Sequence, residues 1–171
     1  MTASQEKSIW AVLISLCLGY SAIDPVADRL TWFMETVPVM IALPLLIFSN
    51  SRFPLTLISI RAIVIFSLIL IIGGFYTYAE NPLFNWIQQE FELARNHFDR
   101  LGHFMQGVVP ALISREILLR TSPLKVGKWL FFIVCCVSLA ISACYEFIEW
   151  GAAVINAQAS EAFLGTQGIC F

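Results

Sequence analysis

Apolar residues gather into five long runs along this chain, separated by short polar stretches. The first, Ile9 to Ile23, follows a polar start containing Lys7 and ends at Asp24-Pro25. It is short for a span, which needs about 20 residues. Gly19 and Ser21 make a poor signal-peptide cleavage site, so the run reads as an uncleaved first helix rather than a leader. The second run, 31–48, carries Glu35 near its start and prolines at 38 and 44. The third, 60–79, is the most continuous, and it closes on Tyr76 and Tyr78 at an interfacial position. The fourth, 101–119, is interrupted by His103, Gln106, Arg115 and Glu116, so one stripe of it must face protein. The fifth, 129–150, is bracketed by Trp129 and Trp150 and holds Glu146 and Glu149 near its end.

Between the third and fourth runs the pattern changes. Residues 80–100 include Glu80, Glu90, Glu92, Arg95, Asp99 and Arg100, while Leu83, Phe84, Ile87, Phe91 and Leu93 recur at roughly helical spacing. This predicts an amphipathic surface helix between spans 3 and 4. The fold class expected is all-α, a polytopic transmembrane bundle of about five spans forming a single membrane domain over 1–171.

Composition supports lipid as the solvent. Of 171 residues, 58% are hydrophobic and 13% charged, against about 45–50% and about 25% in soluble domains. Membrane lipids are therefore the expected partners. A net charge of −2 gives no reason to expect nucleic acid. Cys17, Cys135, Cys136 and Cys144 lie inside apolar runs and Cys170 stands near the end, with no CxxC spacing, so they read as small hydrophobes.

The basic residues set an orientation. With the N-terminus in the cytoplasm, Lys7, Arg52, Arg61, Arg115, Arg120, Lys125 and Lys128 fall on or near the inner side, and Arg29, Arg95 and Arg100 outside. This obeys the positive-inside rule. Five spans then put residue 171 on the outer side. Arg115, Glu116 and Arg120 read as structural and topogenic, with Glu116 and Arg120 in the favoured i,i+4 order.

That orientation collects scattered ionisable groups. Asp99 and His103 begin the fourth helix, Glu146 and Glu149 end the fifth, and Glu35 starts the second, all at the outer level. Asp99 and His103 are one turn apart, and Glu146 and Glu149 also share a face. Asp99, His103, Glu146 and Glu149 are the candidate catalytic cluster, able to supply a general acid and base. His103, Glu146 and Glu149 are also candidate ligands for a divalent metal. The alternative is structural: interfacial residues solvated by water and headgroups, with Asp99 as the N-cap of the fourth helix. Walker, dinucleotide-binding and GxSxG motifs are absent.

The stretch DRLGHFMQGVVPALISREILLR from Asp99 to Arg120 resembles the YjdF-type family of bacterial inner-membrane proteins. So do YEFIEW from Tyr145 to Trp150 and FLGTQG from Phe163 to Gly168. The resemblance runs the length of the chain and implies an inner-membrane location without implying an activity. It also implies a further acidic, Trp-containing segment and a last helix after Gly168, where this chain reads Ile169-Cys170-Phe171. A sixth span would return the C-terminus to the cytoplasm. More loosely, Asp-x-x-x-His at a helix start with a later intramembrane Glu is similar to the VanZ-like family linked to teicoplanin resistance, through Asp99, His103 and Glu146. Three functions stay open at this level: an enzyme acting on a lipid or lipid-linked substrate, a small transporter, and a structural or assembly protein without catalysis.

Overall fold

A computed structural model describes residues 2–155. Among these, all regular structure is helical, in six helices: α1 Ala3–Ser21, α2 Arg29–Ser49, α3 Leu57–Tyr76, α4 Pro82–Glu90, α5 Phe98–Thr121 and α6 Lys128–Ile155. The FLGTQG motif, Cys170 and any later span lie outside the described residues.

Each apolar run falls within or largely within one of the five long helices, and the departures have local causes. α1 begins well before Ile9, because Thr2 and Gln5 form a reciprocal capping box that starts the helix in the polar stretch. α2 starts at Arg29 because the Asp28 carboxylate accepts the Leu30 and Thr31 amides. α3 ends at Tyr76, before Tyr78, because Thr77 turns the chain with φ 71° and ψ 153°. The amphipathic helix is shorter than the 80–100 pattern suggested. It stops at Glu90, and Glu92 takes a positive φ of 49° that breaks the helix ahead of α5.

Among the described residues three helices, α2, α3 and α6, are long and apolar enough to cross a membrane. α5 has 24 residues, roughly 36 Å at 1.5 Å per residue, but it carries charge at both ends. α3 is the centre of the bundle and packs against α1, α2 and α5, while α6 packs mainly on α5. One apolar cluster joins α1, α2 and α3 through Ile14, Val39, Ile60, Val64 and Leu70. A second joins α3 to α5 through Ile63, Phe98, Met105 and Val109.

In lipid, helices associate by close packing and interhelical hydrogen bonds rather than by escape from water. Gly74 shows the first: a Cβ there would lie 3.1 Å from Glu35 Cβ and 3.2 Å from Thr36 Cγ2, so α2 rests directly on α3. Glu116 shows the second. α3 has no side-chain cap of its own. Instead the Glu116 carboxylate on α5 accepts the Thr56 amide and hydroxyl, both at 2.9 Å, and the Ser59 hydroxyl at 2.7 Å. Arg120 donates to Glu116 at 2.8 Å and to the Pro54 carbonyl at 2.8 Å, and its guanidinium stacks over Phe53. The Glu116–Arg120 pair is thus one part of a tie across two helices. Arg115 beside it is exposed.

Candidate functional site

Asparagine geometry builds the mouth of the site. Asn96, 1% exposed, donates to the Ala79 and Asn81 carbonyls and to Asn85 Oδ1, while its own oxygen accepts the Phe98 amide at 2.9 Å. One side chain therefore fixes the loop after α3, the α4 helix and the first turn of α5. Phe84 and Tyr78 then pack on Phe98, with ring centroids 5.2 and 5.3 Å away.

Tyr78 is held by two glycines. A Cβ on Gly73 would stand 2.6 Å from its ring, and one on Gly102 would stand 2.8 Å from it. The ring lies between α3 and α5 because neither helix has a side chain there. Thr77 supplies the bend that returns Tyr78 to this slot. Its backbone conformation is one normally left to glycine and costs about 1–3 kcal/mol.

Beside Tyr78 lies a cavity of about 330 Å³ lined from α2, α3, α5, α6 and the loop before α5. Glu35, Asp99, His103, Glu146 and Glu149 all line it. His103 is the hub. Its Nε2 is 3.1 Å from Asp99 Oδ1, and its Nδ1 is 3.2 Å from Glu146 Oε1. Gln106 Oε1 also approaches Nδ1, at 3.1 Å, and Gln106 Nε2 reaches the Ser142 carbonyl on α6. Both carboxylate contacts are hydrogen bonds only when both ring nitrogens carry hydrogen. Glu149 lines the cavity with no hydrogen bond to the other three. Glu35 is 3% exposed, and its Oε2 is buried without a partner.

This arrangement corrects two expectations. Asp99 is not the cap of α5, which begins at Phe98 after His97; its carboxylate is turned to the imidazole instead. Nor do His103, Glu146 and Glu149 converge as one ligand set in this geometry. Among the described residues no three His, Cys, Asp or Glu side chains are disposed to hold one ion. His103 spends its two nitrogens on carboxylates from different helices, so no three donors point at one centre.

The match to known proteins settles the lineage. A family model described as a predicted membrane protein, DUF2238, matches residues 7–170. The chain belongs to the DUF2238 family. Among its relatives, inner membrane protein YjdF of Escherichia coli (strain K12) is 48% identical over 158 residues, which is 92% of this chain and 75% of the relative. No solved structure matches the chain. The membrane location read from the sequence stands on the family and on the apolar helices together.

The cavity of this DUF2238 protein contains residues that pattern reading did not place there. Tyr78 looked interfacial, and Arg95 looked like a surface charge. Both line the cavity, as do Gln106 and Tyr145, and the Arg95 Nε is buried without a partner. Tyr145 donates to the Met34 carbonyl at 3.5 Å, linking α6 to α2. The signal available for Tyr145 was its place one residue before Glu146 in YEFIEW. No spacing rule could have foretold the return of Tyr78, which depends on the Thr77 bend.

Proposed function

We propose that this chain is a five-span protein of the bacterial inner membrane, N-terminus inside, whose outer-face cavity catalyses hydrolysis or group transfer on a lipid or lipid-linked substrate. The spans in this reading are the apolar runs carried by α1, α2, α3, α5 and α6, the first beginning at Ile9, and α4 lies at the outer surface. The whole described chain then acts as one membrane domain, with seven of its ten basic residues on or near the inner side.

The observation that carries the reading is an imidazole held between two carboxylates inside a cavity at one end of the bundle. Such a group moves protons at neutral pH. In the proposed step Glu146 or Glu149 takes the proton of an attacking water or hydroxyl as its oxygen bonds to the substrate. The bond to the leaving oxygen breaks, and that oxygen receives a proton from the His103 imidazolium. Asp99 orients the ring and stabilises its charged form. A proton taken by Glu146 passes to His103 across their 3.2 Å contact, and one taken by Glu149 is released to water while His103 takes one up from water, so either route restores the start. Transport is supported less well, because the groove into which the cavity continues, between α2 and α5, is lined almost wholly by apolar residues.

The test compares lipid extracts of cells lacking the protein with cells expressing the wild type, His103→Ala or Glu149→Gln at matched membrane levels. Loss of a positioned acid–base group typically costs about 10²–10⁴ in rate. A lipid species should change with the wild type and not with His103→Ala. Extracts that are identical across all four strains would refute the reading.

A further inference from the structure

The cavity has a continuation that catalysis alone does not require. An apolar groove of about 530 Å³ runs between α2 and α5 over α3. Pro38, Phe66 and Leu70 line both the groove and the cavity, so the two are contiguous. From Pro38 the groove follows Val39, Leu46 and Ser49 down α2, and Ile113 and Ile117 down α5. The eleven-residue step from 38 to 49 is roughly 16 Å of helix at 1.5 Å per residue. Its lining holds no charged residue.

The cavity end has the opposite chemistry, and its charges are unevenly committed. His103 is already engaged by Asp99 and Glu146. The groups left over are the buried Glu35, with Oε2 unpartnered, Glu149, and Arg95, with Nε unpartnered. Glu35 Oε2 and Arg95 Nε are buried without partners, which is costly away from water, and the half-buried Glu149 faces the same cavity, so these groups mark where ligand charge belongs. Two carboxylates suit an ammonium that donates hydrogen bonds, and one guanidinium suits a phosphate. A headgroup carrying only negative charge would meet the carboxylates without compensation.

We infer that the occupant is a zwitterionic phospholipid bearing a primary amine, with its headgroup among Glu35, Glu149 and Arg95 and a hydrocarbon chain laid in the groove between α2 and α5. The inference rests on the reading that the cavity takes a lipid, and names which one. Headgroup outside and chain inward is also the direction in which an outer-leaflet lipid would enter.

The test reconstitutes the full chain into phosphatidylcholine vesicles containing phosphatidylethanolamine with a photoreactive diazirine near the end of its acyl chain. Crosslinked peptides are then mapped by mass spectrometry. Label should concentrate on 38–49 and 109–121. A tenfold excess of unlabelled phosphatidylethanolamine should lower it about tenfold by mass action, and phosphatidylglycerol should not. Ala42→Trp, which fills the groove, should remove the label there. Label spread equally over the exposed α6 residues Phe131, Leu139 and Phe147, or equal competition by phosphatidylglycerol, overturns the inference. The wild-type competition decides the matter even where Ala42→Trp does not fold. Groove labelling in a protein that turns over no lipid upholds this inference and removes the catalytic reading. Turnover with label spread over the surface does the reverse.

Discussion

Glu116→Ala removes the carboxylate that ties α5 to the start of α3. Three interhelical hydrogen bonds end on it, from the Thr56 amide, the Thr56 hydroxyl and the Ser59 hydroxyl, besides the ion pair with Arg120. Interhelical bonds in membrane bundles are worth about 0.6–1.7 kcal/mol each, so the three sum to roughly 2–5 kcal/mol. The ion pair adds little to this, because the Arg120 side chain is exposed and an exposed pair is worth about 0–1 kcal/mol. We expect a loss near 3 kcal/mol. At about 2–4 °C per kcal/mol for a chain of this size, the thermal midpoint in detergent should fall by roughly 6–12 °C, followed by circular dichroism. Arg115→Ala, one residue away but exposed, should shift it by no more than about 1–2 °C, in keeping with a surface change within about 0.5 kcal/mol. Glu116→Gln keeps one acceptor oxygen and should fall between the two. In a double-mutant cycle, Glu116→Ala and Ser59→Ala should be non-additive. A Glu116→Ala midpoint equal to wild type, or full additivity with Ser59→Ala, would refute the tie.

Gly102→Ala should destabilise by about 1–3 kcal/mol through overpacking, because Tyr78 cannot retreat from Gly102 without meeting Gly73; a Tyr78→Ala background should relieve it. Glu6 lies ahead of the first apolar run, and hydrogen bonds from Arg61 and Trp10 hold its carboxyl below the usual carboxylate range. Its contribution is present above the unfolded pKa of about 4.3 and is lost as pH falls through the lower native value. Arg61→Ala should therefore flatten the loss of stability between about pH 5 and pH 3, and an unchanged acid limb would contradict the pairing. On a cysteine-free background, single cysteines at 51 and 124 should resist a membrane-impermeant maleimide in intact spheroplasts, while cysteines at 26 and 92 should react. The reverse pattern would invert the proposed orientation.

The elements were legible because lipid imposes a strong rule: long apolar runs, broken by charge and proline, must be helices. Even the amphipathic α4 stood out by its spacing. The level of each ionisable group was legible too. Helix direction alternates from span to span, so Glu35, Asp99, His103, Glu146 and Glu149 could be assigned one end and do line one cavity. What a sequence of runs does not carry is azimuth, the direction in which each side chain points around its helix. That is why His103, Glu146 and Glu149 could be offered as a metal set, when His103 instead bridges two carboxylates. It is also why Glu116 was read as half of a local pair rather than as the remote cap of α3. Tyr78 was missed for a third reason, since its position depends on a backbone bend at a β-branched threonine, where propensity argues against one.

The central claim, that the Asp99–His103–Glu146 arrangement does chemistry on lipid, is tested most directly by purified protein in vesicles of defined phosphatidylethanolamine content. Products are followed by mass spectrometry across pH for the wild type and for His103→Ala. The account predicts a product that forms with the wild type and falls by about 10²–10⁴ in rate for a folded His103→Ala. Equal rates for the two proteins, or no product from either at any pH, would contradict it.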